Sequence, residues 1–233
     1  MLNVSDLAVS YGGVRALRRL DLNVGASTVH GLIGPNGAGK STALNAMTGV
    51  AVPASGTVHL EDMDLLALRP HQILQAGLAR TFQQAQLWSG MTVEQNLMVP
   101  LLGEGRKKAI ARAHQVAGQL GFSAELDALA SDLPFGARRL VEVGRAIMTT
   151  PRIVMLDEPG AGLTASEKSR LIDVLHTLAE AGTSVLLVDH DMDLVMRACE
   201  IVTVLDAGIV IAEGEPDAIR TDEKVLAVYL GHK

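Results

Sequence analysis

The chain has 233 residues, of which 48% are hydrophobic, 20% charged and only 3% aromatic. This length and composition allow a substantial aliphatic core without disulfides or a structural metal, which excludes a disordered chain or a mini-protein scaffold. The single cysteine, Cys199, excludes internal disulfides and any multi-cysteine metal site. A net charge of −6 disfavours sequence-wide attraction to nucleic acid, so we expect no nucleic-acid partner.

Neither a membrane span nor a leader is indicated. No stretch approaches the roughly 18 to 20 unbroken apolar residues that cross a bilayer. Residues 1–6 lack the basic and apolar regions of a signal peptide. We therefore expect a cytoplasmic protein in a reducing compartment.

The N-terminal part of the chain predicts short strands. Alternating apolar residues indicate strands at residues 2–9, 17–24 and 57–60, and an apolar run at 29–33 precedes a glycine-rich turn. Beyond Asp62 the pattern becomes helical. Thr92 and Gln95 have capping-box spacing at the start of a predicted helix over 93–102. Further helices are predicted over 109–120, ending at Gly121, and over 140–148, ending before Pro151.

The C-terminal part returns to strands. Apolar runs at residues 153–156, 184–188 and 201–205 are typical of strands buried on both faces, and a predicted helix over 166–180 separates the first two. This order is typical of a β-α-β unit. Residues 209–212 predict a hairpin strand, followed by short helices over 217–220 and 224–230.

The most specific motif is a phosphate-binding loop that follows the apolar run 29–33. Glycines let successive backbone N–H groups face one anion, and a helix that begins near Lys40 points its positive end at the phosphates. Lys40 meets the β- and γ-phosphate oxygens and Ser41 reaches Mg²⁺. A glycine-rich turn that binds no ligand is the alternative. The loop and the residue after it are Gly34, Pro35, Asn36, Gly37, Ala38, Gly39, Lys40, Ser41 and Thr42.

Two further polar sites follow predicted strands. Asp157 and Glu158 end the run 153–156, at the sheet edge where ligands of open α/β sheets bind. Asp157 is a candidate Mg²⁺ ligand, and Glu158 a candidate base for an attacking water. An acidic pair that caps the next turn is the alternative. His190 follows the run 184–188 and is a candidate γ-phosphate contact, although a lone histidine is usually a surface or core residue.

The complete chain resembles the ATPase subunits of ATP-binding cassette (ABC) transporters. The resemblance implies an α/β fold of the P-loop NTPase ABC ATPase type, with a mixed core sheet, an N-terminal antiparallel β-subdomain and an inserted α-helical subdomain. It divides one domain into residues 1–82, 83–149 and 150–233. The implied ligands are ATP and Mg²⁺. The family positions matched outside the loop are Tyr11 and Val14 at the adenine, Gln83 at the Mg²⁺ and water site, Pro134, Phe135, Gly136 and Ala137 in the signature loop, and His190 as the switch histidine.

The finer resemblance is to ATPases of branched-chain amino acid importers. Residues 77–83, 91–97, 189–196 and the tail 228–231 all look like that subgroup. Urea importer ATPases are similar, so the solute stays an analogy. Three positions differ from the usual family pattern. Pro134 replaces a serine and offers neither a hydroxyl nor an N–H to phosphate, Ala137 replaces a glutamine, and Thr164 replaces an aspartate.

The resemblance implies a mechanism and partners. Two such subunits, identical or paralogous, sandwich ATP head to tail, with the Gly136 backbone of one facing the γ-phosphate held by the other. The dimer is peripheral on the inner face of the cell membrane, bound to transmembrane permeases that receive solute from an external binding protein. The apolar positions near Leu87, Trp88, Met91 and 97–102 are the candidate permease contact. A nontransport ABC assembly ATPase and a P-loop small-molecule kinase are the alternatives.

Overall fold

The computed structural model describes residues 1–81 and 87–230. Its ten strands form one sheet, in the spatial order β5-β4-β1-β2-β10-β9-β3-β8-β7-β6. In chain order they are β1 (Leu2–Tyr11), β2 (Val14–Val24), β3 (Val29–Ile33), β4 (Ser55–Leu60), β5 (Met63–Asp64), β6 (Leu78–Arg80), β7 (Ile153–Asp157), β8 (Ser184–Val188), β9 (Ile201–Asp206) and β10 (Ile209–Gly214).

One end of the sheet is antiparallel, which confirms the predicted N-terminal strands. β1 pairs with β2 and with β4, and the β1–β2 turn closes where Tyr11 faces Val14. β10 returns antiparallel beside β9, as the hairpin prediction requires, and its Ile209 also pairs with Arg19 of β2. This contact joins the antiparallel strands to the rest of the sheet.

The other end is parallel and buried on both faces. β3 lies between β8 and β9, and β7 lies between β8 and β6, all in parallel register. In β7, Val154 and Leu156 face one hydrophobic core while Ile153 and Met155 face the other. Because successive side chains of a strand point to opposite faces, a strand between two cores is apolar throughout.

Nine α-helices lie in the described part of the chain. In this part, no helix combines the length and apolarity needed to span a membrane. Between β6 and β7, three of the helices pack together around the buried Phe122, so the block predicted in the middle of the chain is confirmed as helical. The helices are α1 (Lys40–Met47), α2 (Pro70–Gln75), α3 (Val93–Met98), α4 (Arg106–Leu120), α5 (Phe135–Ile147), α6 (Ala165–Glu180), α7 (Met192–Ala198), α8 (Pro216–Thr221) and α9 (Glu223–Leu230).

Two predictions from the sequence are wrong in detail. The helix predicted over 93–102 ends at Met98 and continues as a 3₁₀ turn over Val99–Leu101, because Pro100 has no N–H with which to extend the α-helical bonding. The pattern beyond Asp62 is not uniformly helical, since the short strands β5 and β6 lie there. The boundaries predicted at residues 82 and 149 remain predictions.

Candidate active site

The phosphate-binding loop joins β3 to α1, as predicted. Gly34, Gly37 and Gly39 have φ angles of 152°, 83° and 109°, a region that favours glycine. A Cβ atom at Gly34 would lie 2.0 Å from the backbone oxygen of Leu205, and one at Gly39 2.7 Å from that of Ala16. The glycines therefore permit both the backbone turn and the close approach of neighbouring strands.

Lys40 lies at the base of this loop. Its Nζ donates to the backbone oxygens of Gly34 at 2.6 Å and Pro35 at 3.0 Å. Burial lowers the pKa of Lys40, and the nearby carboxylates of Glu158 and Asp157 oppose that shift. The loop opens onto a groove of about 520 Å³, a size typical of small-ligand sites. The groove is lined by Ala16, Asn36, Gly37, Ala38, Gly39, Lys40, Ser41, Thr42 and Glu158.

The structure brings the two predicted carboxylates to the same sheet edge as Lys40. Asp157 ends β7, is almost fully buried, and its Oδ2 accepts a hydrogen bond from Arg80 Nη2 at 2.9 Å. Glu158 follows with a φ of 48°, uncommon for a side chain larger than glycine. Its backbone is held on both sides, because its N–H donates to Val188 at 2.7 Å and its carbonyl accepts from Arg139 Nη2 at 3.2 Å. This strained backbone directs Glu158 to the groove.

His190 lies beside Glu158, as the sequence predicts. Its Nδ1 is 3.7 Å from Glu158 Oε1, and its side chain is 57% exposed, which leaves it accessible to a ligand. The preceding residue, Asp189, is fully buried and fixes this loop. Asp189 Oδ1 accepts from the N–H of His190 at 2.8 Å, and Oδ2 accepts from the N–H of Gly160 at 2.9 Å. The His190 loop is thus tied to the loop after Glu158.

The donor set fits a magnesium ion that arrives with nucleotide. Within the described residues, no cluster of three or more His, Cys, Asp or Glu side chains could hold a metal alone. Ser41 and Asp157 offer a hydroxyl and a carboxylate oxygen, and Mg²⁺ is usually bound by one or two such protein oxygens plus substrate phosphates. The third residue that the resemblance implies, Gln83, lies outside the described residues.

The signature loop lies at the start of α5, with Pro134 as its N-cap residue. Phe135 is 43% exposed and lies against the loop between β7 and α6, where a Cβ at Gly162 would be 3.0 Å from its ring. The carboxylate of Glu167, in the first turn of α6, lies against Gly136, because an ideal Cβ at Gly136 would be 2.1 Å from Glu167 Oε1. The resemblance assigns the backbone of Gly136 to the γ-phosphate of ATP held by a partner subunit, whereas in this structure an internal carboxylate lies at that place.

Glu167 lies at the N-terminal ends of two helices, α5 and α6. Its Oε2 accepts hydrogen bonds from the backbone N–H and the hydroxyl of Thr164, both at 2.8 Å, which completes the capping box of α6. Its Oε1 lies over Gly136, where an added Cβ would be only 2.1 Å away. The hydrogen bonds from Thr164, and to a smaller extent the nearby backbone N–H of Gly136, hold the pKa of Glu167 below its usual value.

Two groups of predicted residues lie on exposed surfaces. Tyr11 and Val14 are exposed at the β1–β2 turn, and the groove lining begins two residues farther on, at Ala16. Trp88 and Met91 are exposed near α3, and Arg145 lies 5.0 Å above the Trp88 ring. The predicted permease contact over 97–102 needs a correction, because Leu97 and Leu101 are buried in the core while Leu102 is exposed.

Sequence reasoning missed several residues that shape these sites. Arg80 and Arg139 were not singled out, although each contacts the Asp157–Glu158 pair from a distant part of the chain. The only local signal for Glu167 is its capping-box spacing from Thr164. Asn96 is fully buried and donates to the carbonyls of Trp88 and Thr92, both at 3.0 Å, which shapes the exposed Trp88 loop.

Comparison with known proteins finds relatives that match over nearly the whole chain. The ABC transporter family matches residues 17–161, and the family described as Branched-chain amino acid ATP-binding cassette transporter matches residues 210–233. The chain is 35% identical to the high-affinity branched-chain amino acid transport ATP-binding protein LivG of Escherichia coli, over 99% of this chain and 98% of that protein. The protein of the same description named BraF, from Pseudomonas aeruginosa, is 34% identical with the same coverage.

A solved structure also matches the chain over its whole length. The crystal structure of the ADP conformation of an ATP-binding cassette of an ABC transporter matches with a TM-score of 0.91 and 30% identity, covering 100% of this chain and 99% of that one. The fold therefore agrees with that of a solved relative. The chain therefore belongs to the family of ATP-binding cassette subunits of ABC transporters.

Proposed function

We propose that this chain is the ATP-binding and ATP-hydrolysing subunit of an importer for branched-chain or other hydrophobic amino acids. The observation that carries the ATPase role is the convergence of the Gly34–Ser41 loop, Lys40 and Glu158 on one groove. The full-length similarity to LivG and the match of the tail, residues 210–233, support the choice of solute. An importer of urea or another solute is the alternative, since solute choice does not depend on this groove.

The groove supports a mechanism built from this chain's own groups. The loop N–H groups and the positive end of α1 bind the phosphates, with Lys40 at the β- and γ-phosphate oxygens. Mg²⁺ bound with ATP, held by Ser41 and Asp157, supplies charge neutralisation. Glu158 accepts a proton from the attacking water, and His190 contacts the γ-phosphate from the next strand end. Tyr11 and Val14 provide the adenine surface.

The site in one chain is half of a complete site. The loop Leu133–Ala137 starts α5 and offers N–H groups to a phosphate, while Pro134 offers none. We infer that a second ABC subunit, identical or paralogous, supplies this loop to ATP held by the first. Binding of ATP closes the dimer, and hydrolysis reopens it. The exposed Trp88 and Met91 provide the contact to the permeases, which hold the dimer at the inner face of the membrane.

Hydrolysis is tested with Glu158→Gln, and with Glu94→Gln as a matched change in the first turn of α3, outside the residues that line the groove. The first variant should keep ATP affinity, accumulate as a closed dimer and lose about 100-fold or more of its turnover, while the second behaves as wild type. Lys40→Ala should instead lose ATP affinity. Turnover that Glu158→Gln leaves unchanged would remove Glu158 from the role of base.

Transport is tested by affinity purification from solubilised membranes. Permeases should co-purify with the wild-type chain, and Trp88→Ala should reduce their recovery without changing ATP affinity. Uptake of labelled leucine and urea by the reconstituted complex then separates the two solute classes. A purified chain that brings no permease would favour the nontransport alternative.

A further inference from the structure

Arg80 connects three elements beside the proposed metal site. It ends β6, and its Nη2 donates to Asp157 Oδ2 at 2.9 Å, at the end of β7. Its Nη1 donates to Asn45 Oδ1 at 2.7 Å and to Thr48 Oγ1 at 3.3 Å, both on α1 or at its C-terminus. The side chains of Arg80 and Asp157 are only 8% and 5% exposed, so water screens this ion pair weakly.

A buried ion pair is favourable only when its geometry is good and its remaining donors are satisfied. The planar guanidinium holds its nitrogens at fixed positions, unlike the single nitrogen of lysine. In Arg80, one nitrogen serves Asp157 and another serves Asn45. The guanidinium therefore fixes the position of α1 relative to the end of β7.

These are the two elements that carry the proposed metal ligands. α1 begins at Lys40 and Ser41, and β7 ends at Asp157. Arg80 holds Oδ2 of Asp157, and no hydrogen bond to Oδ1 is present within the described residues, so Oδ1 is open to a metal. We propose that Arg80 is a positioning residue, which orients Asp157 and keeps it in register with Ser41 for the cation that enters with nucleotide. This inference rests on the proposed ATPase function.

If the Arg80–Asp157 ion pair had only a structural role, the expected result would differ. Its replacement would lower stability, and would alter nucleotide binding to the same extent with and without metal. A positioning role affects the metal selectively, because residues that orient a metal ligand typically contribute 10- to 100-fold to metal affinity. The measurement must therefore separate metal affinity from nucleotide affinity.

The test uses Arg80→Lys, with Arg112→Lys as the control. Arg112 is a part-buried arginine that donates to the carbonyl of Ile147 at 2.9 Å, at the end of α5. We expect Arg80→Lys to weaken Mn²⁺ binding to the ADP complex about 10-fold by electron paramagnetic resonance, with metal-free ADP affinity within about twofold of wild type. The control should change neither quantity.

A second variant, Asn45→Ala, removes an acceptor on α1 and keeps the ion pair, so it should also weaken Mn²⁺ binding. It keeps the test possible if Arg80→Lys does not fold. Wild-type Mn²⁺ affinity in the variants, or an equal loss of metal-free ADP affinity, would overturn the positioning role. Failure of the wild-type chain to bind ADP would instead overturn the proposed function.

Discussion

Gly34 and Gly37 form a matched pair in the phosphate-binding loop. Both have positive φ angles, so an alanine at either position is strained by about 1–2 kcal/mol. They differ in their surroundings. A Cβ at Gly34 would lie 2.0 Å from the Leu205 backbone oxygen, while a Cβ at Gly37 would have no atom of the described chain within 4 Å.

The size of the clash sets the expected effect. A carbon and a carbonyl oxygen approach to about 3.3 Å, so Gly34→Ala forces the loop or the end of β9 to move by more than 1 Å. Overpacking of this kind adds about 1–3 kcal/mol to the strain. We expect Gly34→Ala to lower the free energy of unfolding by about 3 kcal/mol or more, and Gly37→Ala by about 1–2 kcal/mol.

Urea unfolding of nucleotide-free protein measures both values, and nucleotide must be left out because Gly37 lines the groove. A displacement of about 1 Å at a reactive site can cost about 100-fold in rate, so Gly34→Ala should also lose about this factor in kcat/KM for ATP. Equal stability losses in the two variants would refute the assignment of a packing role to Gly34.

Two further predictions concern His30 and Glu167. His30 is buried in β3 with its Nε2 2.8 Å from Thr203 Oγ1, and burial lowers its pKa from the usual 6.5. The neutral ring thus contributes stability that is full above pH 6.5 and is lost as the pH falls through the lower folded-state pKa. When urea unfolding is measured from about pH 7.5 to 5, the free energy of unfolding should fall less for His30→Gln than for the wild type. An equal fall in the two proteins would contradict this. Glu167→Gln keeps the capping box, since Gln95 fills that role in α3, and removes the negative charge that lies beside Gly136. We expect dimerisation at lower ATP concentration in sedimentation experiments, and an unchanged ATP midpoint would contradict this.

The parts of the fold predicted from sequence are those with strong local patterns. The loop Gly34–Ser41 was predictable because strand, glycines and helix are contiguous, and the buried strands because their apolar runs are continuous. β6 was missed because three residues carry too little periodicity, and α2 because its six residues make fewer than two turns. Arg80 and Asp157 are 77 residues apart, so their contact depends on the β6–β7 pairing, which no local pattern encodes.

The start of α5 shows most clearly how a local pattern can be completed by a distant residue. The sequence predicts a helix end that offers N–H groups to an anion, and the structure has an anion there, the carboxylate of Glu167. That carboxylate also caps α6 through Thr164, so it can leave Gly136 to a phosphate while it keeps its bonds to Thr164. In the proposed dimer, closure would then replace an internal anion by the phosphate that the partner holds, so an anion faces this helix end in both states.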